Sequence, residues 1–154
     1  MKLINLSRED WLAWRKDKIG ASDCPVILGI CPWKRPGKLW QQKLGLCEDT
    51  FCTSRMQRGN DLEPIARDLF TERTGIPIES VTCIHSTREW MVAQLDGYNA
   101  EHNCIVEIKC PSADSHAKAK RGIIPENYHA QIQHQFEVSG ATHGYYVSFD
   151  GHDD

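Results

Sequence analysis

The clearest periodic pattern in the chain lies between Asn60 and Gly75. Its apolar residues recur at intervals of three and four, which places them on one face of a helix; they are Leu62, Ile65, Ala66, Leu69 and Phe70. Gly75 follows the last of them, in a position where glycine commonly ends a helix. The pattern predicts an amphipathic helix that buries this stripe and stops at Gly75.

Three shorter helices are indicated in the first 50 residues. Ser7 has Asp10 three residues later, which is typical of a helix N-terminus, and predicts a helix over about Arg8 to Lys16. The segment GASDCPVILG predicts a turn and a short helix with Ser22 as its N-cap. The segment PGKLWQQKLGL predicts a further helix that stops at Gly45.

The second half of the chain is richer in β-forming residues. Three runs predict strands, at about Ser80–His85, Trp90–Leu95 and Cys104–Cys110, and GYYVSF at 144–149 predicts a fourth. Residues 126–139 predict a helix closed by Gly140, and three residues share its apolar face: Tyr128, Ile132 and Phe136. This order of elements predicts an α+β fold with a mixed central β-sheet flanked by helices.

Composition supports one soluble globular domain over residues 1–154. The chain is 40% apolar and 25% charged, and its length suffices for one hydrophobic core. No apolar run approaches the roughly 20 residues that span a bilayer, and the N-terminus lacks the long apolar region of a signal peptide. We therefore expect a cytoplasmic protein with no membrane partner. Seven unevenly spaced cysteines without a C-x-x-C pair argue against a disulfide framework and against zinc or iron–sulfur sites.

Charge is distributed unevenly between the two parts of the chain. Residues 1–59 contain 11 Lys and Arg against 6 Asp and Glu, whereas residues 60–154 contain 7 against 15. A basic first part suits a polyanion, and an acidic second part suits divalent cations. Ordinary solvated surface charge explains the same asymmetry.

Asp96, Glu107 and Lys109 form the pattern D-x10-E-x-K across two predicted strands. If these strands pair as a hairpin, the two carboxylates meet near the strand ends, where their mutual repulsion favours a bound cation. Mg²⁺ is the usual cation at a site with few carboxylates, and the carbonyl of Ile108 would be a third ligand. Lys109 shares a strand face with Glu107, so its ammonium can orient an attacking water or stabilise charge on a phosphate.

The same three residues are compatible with a surface hairpin that carries a cross-strand pair of charges. An acid, ten residues and E-x-K occur by chance in many proteins. The spacing by itself therefore does not separate a metal site from an ordinary hairpin.

Four motifs, in order along the chain, resemble those of one family. WLAWRKDKIGASD is similar to its W-x3-R…A-S motif and GNDLEPIARDLF to its G-x3-E helix, while QLDG with VEIKCP and then YHAQIQHQ are similar to its catalytic core and its Y-x-x-Q-x-Q helix. On these motifs, from about Trp11 to Phe149, the chain resembles the phage lambda exonuclease-like (YqaJ-type viral recombinase) family of PD-(D/E)xK nucleases. The resemblance implies a restriction-endonuclease-like fold. The family's final strand and helix have no counterpart here, so we expect a shortened core.

The resemblance implies a role for each acidic residue of the predicted site. Asp96 and Glu107 would bind the catalytic metal together with the carbonyl of Ile108, and Lys109 would be the catalytic lysine. Glu63 would complete the acidic cluster, nearer a second metal. The implied cofactor is Mg²⁺, as one or two ions, with Mn²⁺ able to substitute.

The resemblance also implies DNA contacts. Arg15 and Ser22 match residues that contact a 5′-terminal phosphate, so the helices of about residues 1–59 would bind the DNA end and residues 60–154 would form the catalytic core. Gln131 would belong to the catalytic site, because it matches a glutamine close to the metal. Tyr128 and Gln133, on the same helix, would face DNA.

Several of these residues also have ordinary structural interpretations. Ser22 suits a helix cap, Arg15 suits an ion pair with a surface acid, and Tyr128 suits a core aromatic with a bonded hydroxyl. His134 is better explained as a structural or surface residue than as a ligand. Ser115 stands where the phage enzyme that gives the family its name has a further phosphate-binding arginine, which weakens the prediction of a 5′-phosphate site.

The function predicted from the sequence is a Mg²⁺-dependent exonuclease that degrades one strand of linear duplex DNA from 5′ to 3′ and leaves 3′ overhangs. The resemblance further implies double-stranded DNA ends as substrate, a phage single-strand annealing protein as partner, a homotrimeric ring and the cytoplasm of a bacterial or phage-infected cell. Two alternatives remain open: a structure-selective endonuclease of the same superfamily, and a catalytically silent DNA-binding module. A metal-storage or redox protein built on the cysteines is a more distant alternative.

Overall fold

The computed structural model describes residues 1–47 and 53–152. These residues form the strands β1 (Lys2–Ile4), β2 (Ile19–Gly20), β3 (Glu79–Ile84), β4 (Met91–Asn99), β5 (Cys104–Lys109) and β6 (His143–Ser148). They form the helices α1 (Arg8–Trp14), α2 (Cys24–Ile27), α3 (Pro36–Lys43), α4 (Ser54–Thr74), α5 (Ala113–Ala119) and α6 (Glu126–Ser139), with single 3₁₀ turns at Arg15–Asp17 and Ala21–Asp23. None of the helices in these ranges has the length and apolar character needed to cross a bilayer.

The strands pair in the order β1-β3-β4-β5-β6, and β2 pairs with β4. The β1–β3 and β4–β5 pairs are antiparallel, whereas β2–β4 and β5–β6 are parallel. The sheet is therefore mixed, and the predicted α+β class is confirmed. The six cysteines in the described ranges are free thiols, and Cys52 lies outside those ranges.

The chain divides into two compact units that alternate along the sequence. The first consists of Met1–Thr50, Val81–Gln94 and Pro125–Gly140, and the second of Phe51–Ser80, Leu95–Ile124 and Ala141–Asp154. Helices α1, α2, α3 and α6 belong to the first unit, and α4 and α5 to the second. The predicted parts of the chain meet once, near residue 59, whereas the first unit also includes the later segments Val81–Gln94 and Pro125–Gly140.

The core of the second unit lies between α4 and β5. Ala66 and Phe70 of α4 are buried with Val106 and Ile108, which alternate along β5 and so point to the same side of the strand. The predicted apolar stripe is thus largely correct, but Ile65 is 48% exposed. The buried stripe is narrower than predicted because Ala66 and Phe70, four residues apart, make the contact with the strand.

Most helix-end signals correspond to real ends. The Ser7 side chain accepts a hydrogen bond from the backbone N–H of Asp10 at 3.1 Å and caps α1. Gly45, Gly75 and Gly140 follow α3, α4 and α6, and each adopts a positive φ of 68°, 70° and 72°, a conformation that glycine reaches without strain. The start of α4 was missed, because the helix begins at Ser54, ahead of its apolar stripe.

The prediction that Ser22 caps a helix is wrong. Ser22 lies exposed within the 3₁₀ turn Ala21–Asp23, and the residue that precedes α2 is Asp23. Asp23 is buried, and its carboxylate accepts a hydrogen bond from the N–H of Gly20 at 3.0 Å. A buried carboxylate needs such donors, so Asp23 rather than Ser22 fixes this turn.

The buried face of α6 is more polar than predicted. Tyr128, Ile132 and Phe136 are only partly buried; the buried residues are His134, Gln135, Val138 and Ser139. The Nε2 of His134 lies 3.0 Å from the Val92 carbonyl, and its Nδ1 lies 3.0 Å from the Cys24 thiol. These bonds make a buried histidine tolerable, and burial lowers the pKa of His134.

The strand β4 is longer than predicted. It continues past Leu95 to Asn99, because Gly97 does not end the strand but allows close packing within it. A Cβ at position 97 would lie 2.5 Å from Ile78 Cδ1 and 3.0 Å from Val106 Cβ. The sequence also gave no sign of β1, β2 and α5, which are short.

Gly97→Ala is expected to lower the free energy of unfolding by about 1–3 kcal/mol, because the added methyl overpacks against Ile78 and Val106. Urea denaturation measures the effect. The matched control is Gly59→Ala in α4, where nothing lies within 4 Å of the added Cβ and a helical alanine stabilises by roughly 0.5–1 kcal/mol. Equal stability of the two variants would contradict this account of Gly97.

Candidate active site

Strand β5 presents Glu107 and Lys109 on one face and Val106 and Ile108 on the other. Glu107 is 1% exposed, and its carboxylate forms an ion pair with the ammonium of Lys109, whose side chain is 24% exposed. A buried carboxylate is stable only when it is paired and hydrogen-bonded. The alternation predicted for this segment is therefore present, and one of its two charges lies in the interior.

Asp96 lies beside this pair on the neighbouring strand. Gly97 pairs with Val106 in the β4–β5 register, so Asp96 is directly across from Glu107. The Asp96 Oδ2 accepts a hydrogen bond from the backbone N–H of Ile108 at 2.9 Å. The hairpin prediction thus holds, with one correction: Asp96 lies inside β4 rather than at its end.

The backbone of Ile108 is directed toward Asp96. Its N–H reaches the Asp96 carboxylate, and the N–H and C=O of one strand residue point to the same side of the strand. The Ile108 carbonyl therefore points toward β4 as well. The use of that oxygen as a metal ligand stays a prediction.

Helix α4 adds a third carboxylate and an arginine. The Arg67 guanidinium lies 2.5 Å from Glu63 Oε1, one turn earlier on the helix, and its Nε donates to the Asp96 carbonyl at 2.7 Å. The structure therefore brings Glu63, Asp96, Glu107 and Lys109 into one region of the second unit. Arg67 was missed, although its i, i+4 spacing from Glu63 is visible in the sequence.

The acidic side chains influence each other's charge. The pKa of Asp96 is raised to about 7, first because burial disfavours the charged form and then because Glu107 lies nearby, with a smaller contribution from Glu63. The Lys109 ammonium and the Ile108 N–H act in the opposite direction. The carboxylates therefore converge closely enough that a cation among them would relieve their repulsion.

The donor set suits a hard divalent cation. Carboxylate oxygens and a backbone carbonyl are the ligands that Mg²⁺ and Mn²⁺ prefer, usually with several waters retained. In the described ranges, no three His, Cys, Asp or Glu side chains are already arranged to hold a metal ion. Glu107 pairs with Lys109 and Glu63 with Arg67, so two of the three carboxylates already have a cationic partner.

A second arginine of α4 holds the segment that follows β5. Arg58 donates to the carbonyls of Cys110 at 3.1 Å and Pro111 at 3.4 Å, and also to the carbonyl of Asp150. These carbonyls follow Lys109 and β6 directly, so Arg58 fixes the path of the chain there. No sequence signal identifies Arg58, because its acceptors are backbone atoms 52 and more residues away.

The other predicted site residues lie in the first unit. They are Arg15, Ser22, Tyr128, Gln131 and Gln133. The Arg15 guanidinium lies over the ring of Trp11 at 4.3 Å from its centroid, which holds the cation in place. Ser22 and Gln133 are exposed, whereas Tyr128 and Gln131 are half-buried on α6.

Solved structures resemble this fold closely. The alkaline exonuclease LHK-Exo from Laribacter hongkongensis superposes with a TM-score of 0.78 at 28% identity, over 93% of this chain and 74% of that chain. The same enzyme in complex with dAMP gives a TM-score of 0.76. A phage-related exonuclease from Haemophilus somnus 129PT gives 0.60 at 19% identity, over 86% of this chain and 68% of that chain, and so supports the fold alone. The fold is of the PD-(D/E)xK type.

Sequence comparison agrees with the structural result. The uncharacterised protein YqaJ of Bacillus subtilis (strain 168) is 33% identical over 142 residues, which are 90% of this chain and 44% of that protein. The chain therefore spans less than half the length of this curated relative. The profile of the YqaJ-like viral recombinase domain matches residues 10–142. This chain belongs to the YqaJ-like viral recombinase domain family.

Proposed function

We propose that this chain is a Mg²⁺-dependent deoxyribonuclease that hydrolyses linear duplex DNA from 5′ to 3′ and leaves 3′ single-stranded overhangs. The observation that carries the proposal is the convergence of Asp96, Glu107 and Glu63 beside Lys109 in the second unit. Three carboxylates and one ammonium form a set of groups suited to phosphodiester hydrolysis. The dAMP bound to LHK-Exo is a deoxynucleoside monophosphate, the kind of product that stepwise removal of nucleotides releases.

The acidic residues would hold the metal. Asp96 and Glu107 would bind the catalytic ion with the Ile108 carbonyl, and Glu63 would contribute on the side of α4, where a second ion would lie. When bound, Mg²⁺ lowers the pKa of a water ligand and neutralises charge on the scissile phosphate. Arg67 holds Glu63 and the backbone of Asp96 together, so it sets the spacing of two ligands.

Lys109 would act directly on the reacting groups. Its ammonium projects from the same face of β5 as Glu107 and retains partial exposure. From there it would orient the attacking water and stabilise negative charge that grows on the phosphate. The Glu107 carboxylate, paired with the ammonium, holds Lys109 in position.

Residues of the first unit would bind the DNA end. Arg15, fixed over Trp11, can grip a phosphate through two parallel hydrogen bonds. Ser22 presents an exposed hydroxyl, and Tyr128 and Gln133 would complete the contact from α6, the helix that also carries Gln131, which is predicted to be catalytic. A phage single-strand annealing protein would be a partner that fits this activity. The chain would assemble as a homotrimeric ring and act in the cytoplasm of a bacterial or phage-infected cell.

The direct test is digestion of linear duplex DNA labelled at either end, with and without a 5′ phosphate, in Mg²⁺ and in EDTA. We expect loss of the 5′ label as mononucleotide, a faster rate with a 5′ phosphate, and no digestion in EDTA. Release of the 3′ label first would reverse the proposed direction. Binding of DNA without metal-dependent turnover would instead identify a catalytically silent module.

An endonuclease of the same superfamily has the same catalytic residues, because direction and end preference depend on how DNA is threaded. Closed circular duplex distinguishes the two activities. An exonuclease leaves the circle intact, whereas cleavage of nicked, flapped or branched circles would support the endonuclease.

A further inference from the structure

Residues 24–47 are the longest stretch of the chain without an acidic residue. They contain four of the 18 Lys and Arg and none of the 21 Asp and Glu. Lys43 is used internally, since its ammonium pairs with a buried carboxylate and donates to two backbone carbonyls. Arg35 and Lys38 are exposed and Lys34 is half-exposed, so three cations of this stretch face solvent in a chain of net charge −3.

The same stretch exposes large aromatic side chains. Trp33 is 67% exposed and Trp40 is 60% exposed. Trp33 directly precedes two of the cations, and Trp40 lies two residues beyond the third on α3, whose buried residue is Leu39. Further large apolar side chains in the stretch are exposed, namely Ile27, Leu28, Leu44 and Leu46. Six large exposed apolar side chains within one short stretch of chain are typical of an interaction surface rather than of an ordinary face of a folded protein.

The combination of exposed tryptophan rings and basic side chains indicates the class of ligand that binds here. Single-stranded nucleic acid binds where a positive surface follows its backbone and aromatic rings stack on its bases. Duplex DNA keeps its base faces stacked inside the helix and offers none to Trp33 or Trp40. The centres of protein–protein interfaces are depleted in lysine. The presence of Lys34 and Lys38 therefore disfavours a protein partner.

We propose that residues 27–46, the tryptophan–basic face, bind single-stranded DNA through stacking on Trp33 and Trp40 and phosphate contacts to Lys34, Arg35 and Lys38. The inference deepens the proposed nuclease function on which it rests: the ligand is the strand that remains when the complementary strand is degraded. Holding that strand would keep the enzyme on its substrate between cleavage steps.

The test measures the affinity of the full chain for a fluorescently labelled oligothymidylate in EDTA, by anisotropy. Trp33→Ala with Trp40→Ala is expected to weaken binding about 100-fold, because each stacked base contributes strongly. Replacement of Lys34, Arg35 and Lys38 by glutamine is expected to reduce the slope of log affinity against log salt by about 2, since roughly 0.7 counterions are released per phosphate contact on a single strand.

Trp90→Ala is the matched control, because Trp90 is 52% exposed in the same unit but lies outside the acid-free stretch. It should leave the affinity within about twofold. Circular dichroism and thermal melting of each variant show whether it has folded. Trp40→Phe keeps an aromatic ring that can stack on a base and is expected to retain most of the affinity. This variant tests the contribution of stacking with only a small change in side-chain size.

An unchanged affinity in the double tryptophan variant, or an equal loss in Trp90→Ala, would overturn the proposal. Sedimentation would also overturn it if the double variant changed the oligomeric state and left oligothymidylate binding intact, because the face would then join two copies of the chain. Cleavage of linear duplex in Mg²⁺ is measured separately. If oligothymidylate binding depends on Trp33 and Trp40 but no cleavage occurs, this inference is supported and the proposed function is rejected. If cleavage occurs but binding does not depend on the two tryptophans, the proposed function is supported and this inference is rejected.

Discussion

Asp96→Asn is expected to lower the rate of DNA hydrolysis by about 1000-fold or more and, at the same time, to stabilise the metal-free protein. Asparagine has nearly the same shape as aspartate and keeps an oxygen to accept the Ile108 N–H, so the hairpin is preserved. It removes a negative charge that burial, Glu107 and Glu63 all disfavour. The rate falls because the proposed metal ligand loses its charge.

The stability gain has a defined pH dependence. The pKa of Asp96 in the fold is about 7, above the ordinary value near 4 in the unfolded chain, so the ionised wild-type residue destabilises the fold above pH 7. In EDTA at pH 8, Asp96→Asn should raise the free energy of unfolding by about 1–3 kcal/mol. The difference should shrink as the pH falls below 7 and vanish below about pH 3, where aspartate is protonated in both states.

Urea denaturation in EDTA at pH 8 and pH 5, together with cleavage of linear duplex in Mg²⁺, checks both parts of this prediction. Asp68→Asn, an exposed acid on α4 in the same unit, should change neither quantity appreciably. A less stable Asp96→Asn would show that the carboxylate supports the fold rather than the site. Retained hydrolysis would remove Asp96 from the mechanism.

Lys43→Met is expected to lower the free energy of unfolding by about 3–5 kcal/mol. The Lys43 ammonium lies 2.8 Å from the Asp23 carboxylate, whose side chain is 5% exposed, and donates to the carbonyls of Arg15 and Lys18 at 3.1 and 2.6 Å. Without the ammonium, the buried Asp23 carboxylate would keep its hydrogen bond from the Gly20 N–H but would lose its ion-pair partner. Uncompensated buried charge is one of the largest single causes of destabilisation.

The second variant Asp23→Asn, combined with Lys43→Met, should recover part of this loss, because the charge that lost its partner is removed as well. Lys38→Met is the control on the same helix, since Lys38 is exposed, and it should change stability by less than about 0.5 kcal/mol. Urea denaturation of wild type, Lys43→Met, Asp23→Asn and the double variant gives the coupling energy between the two side chains. A Lys43→Met variant within about 1 kcal/mol of wild type would reject a structural role for the pair.

The sequence predicted those parts of the fold and site that depend on local pattern. The stripe of α4, the glycines that end three helices and the alternation of Glu107 with Lys109 all follow from one element at a time. Short elements such as β1 and β2 could not be predicted, because two or three residues carry no periodic signal and their strands form by pairing with distant ones.

Errors arose where a distant contact decides the role of a residue. Gly97 resembled the end of a strand, but Ile78 and Val106 pack against it and the strand continues. The apolar residues predicted to form the buried face of α6 are only partly buried, whereas His134 is buried with its two ring nitrogens bonded to Val92 and Cys24. The prediction for Ser22 failed because Lys43, 20 residues after Asp23, pairs with the neighbouring carboxylate.

The register between β4 and β5 restricts where the gene can gain or lose codons. Asp96 faces Glu107 because the Gly97–Val106, Tyr98–Ile105 and Asn99–Cys104 pairs are kept in step. A codon added to the turn at 100–103 lengthens a loop and preserves these pairs. A residue inserted in β5 before Glu107 shifts the strand by one position and exchanges its two faces. Glu107 and Lys109 would then point toward Ala66 and Phe70, and apolar side chains would point toward Asp96. Insertions among relatives should therefore accumulate in the turn.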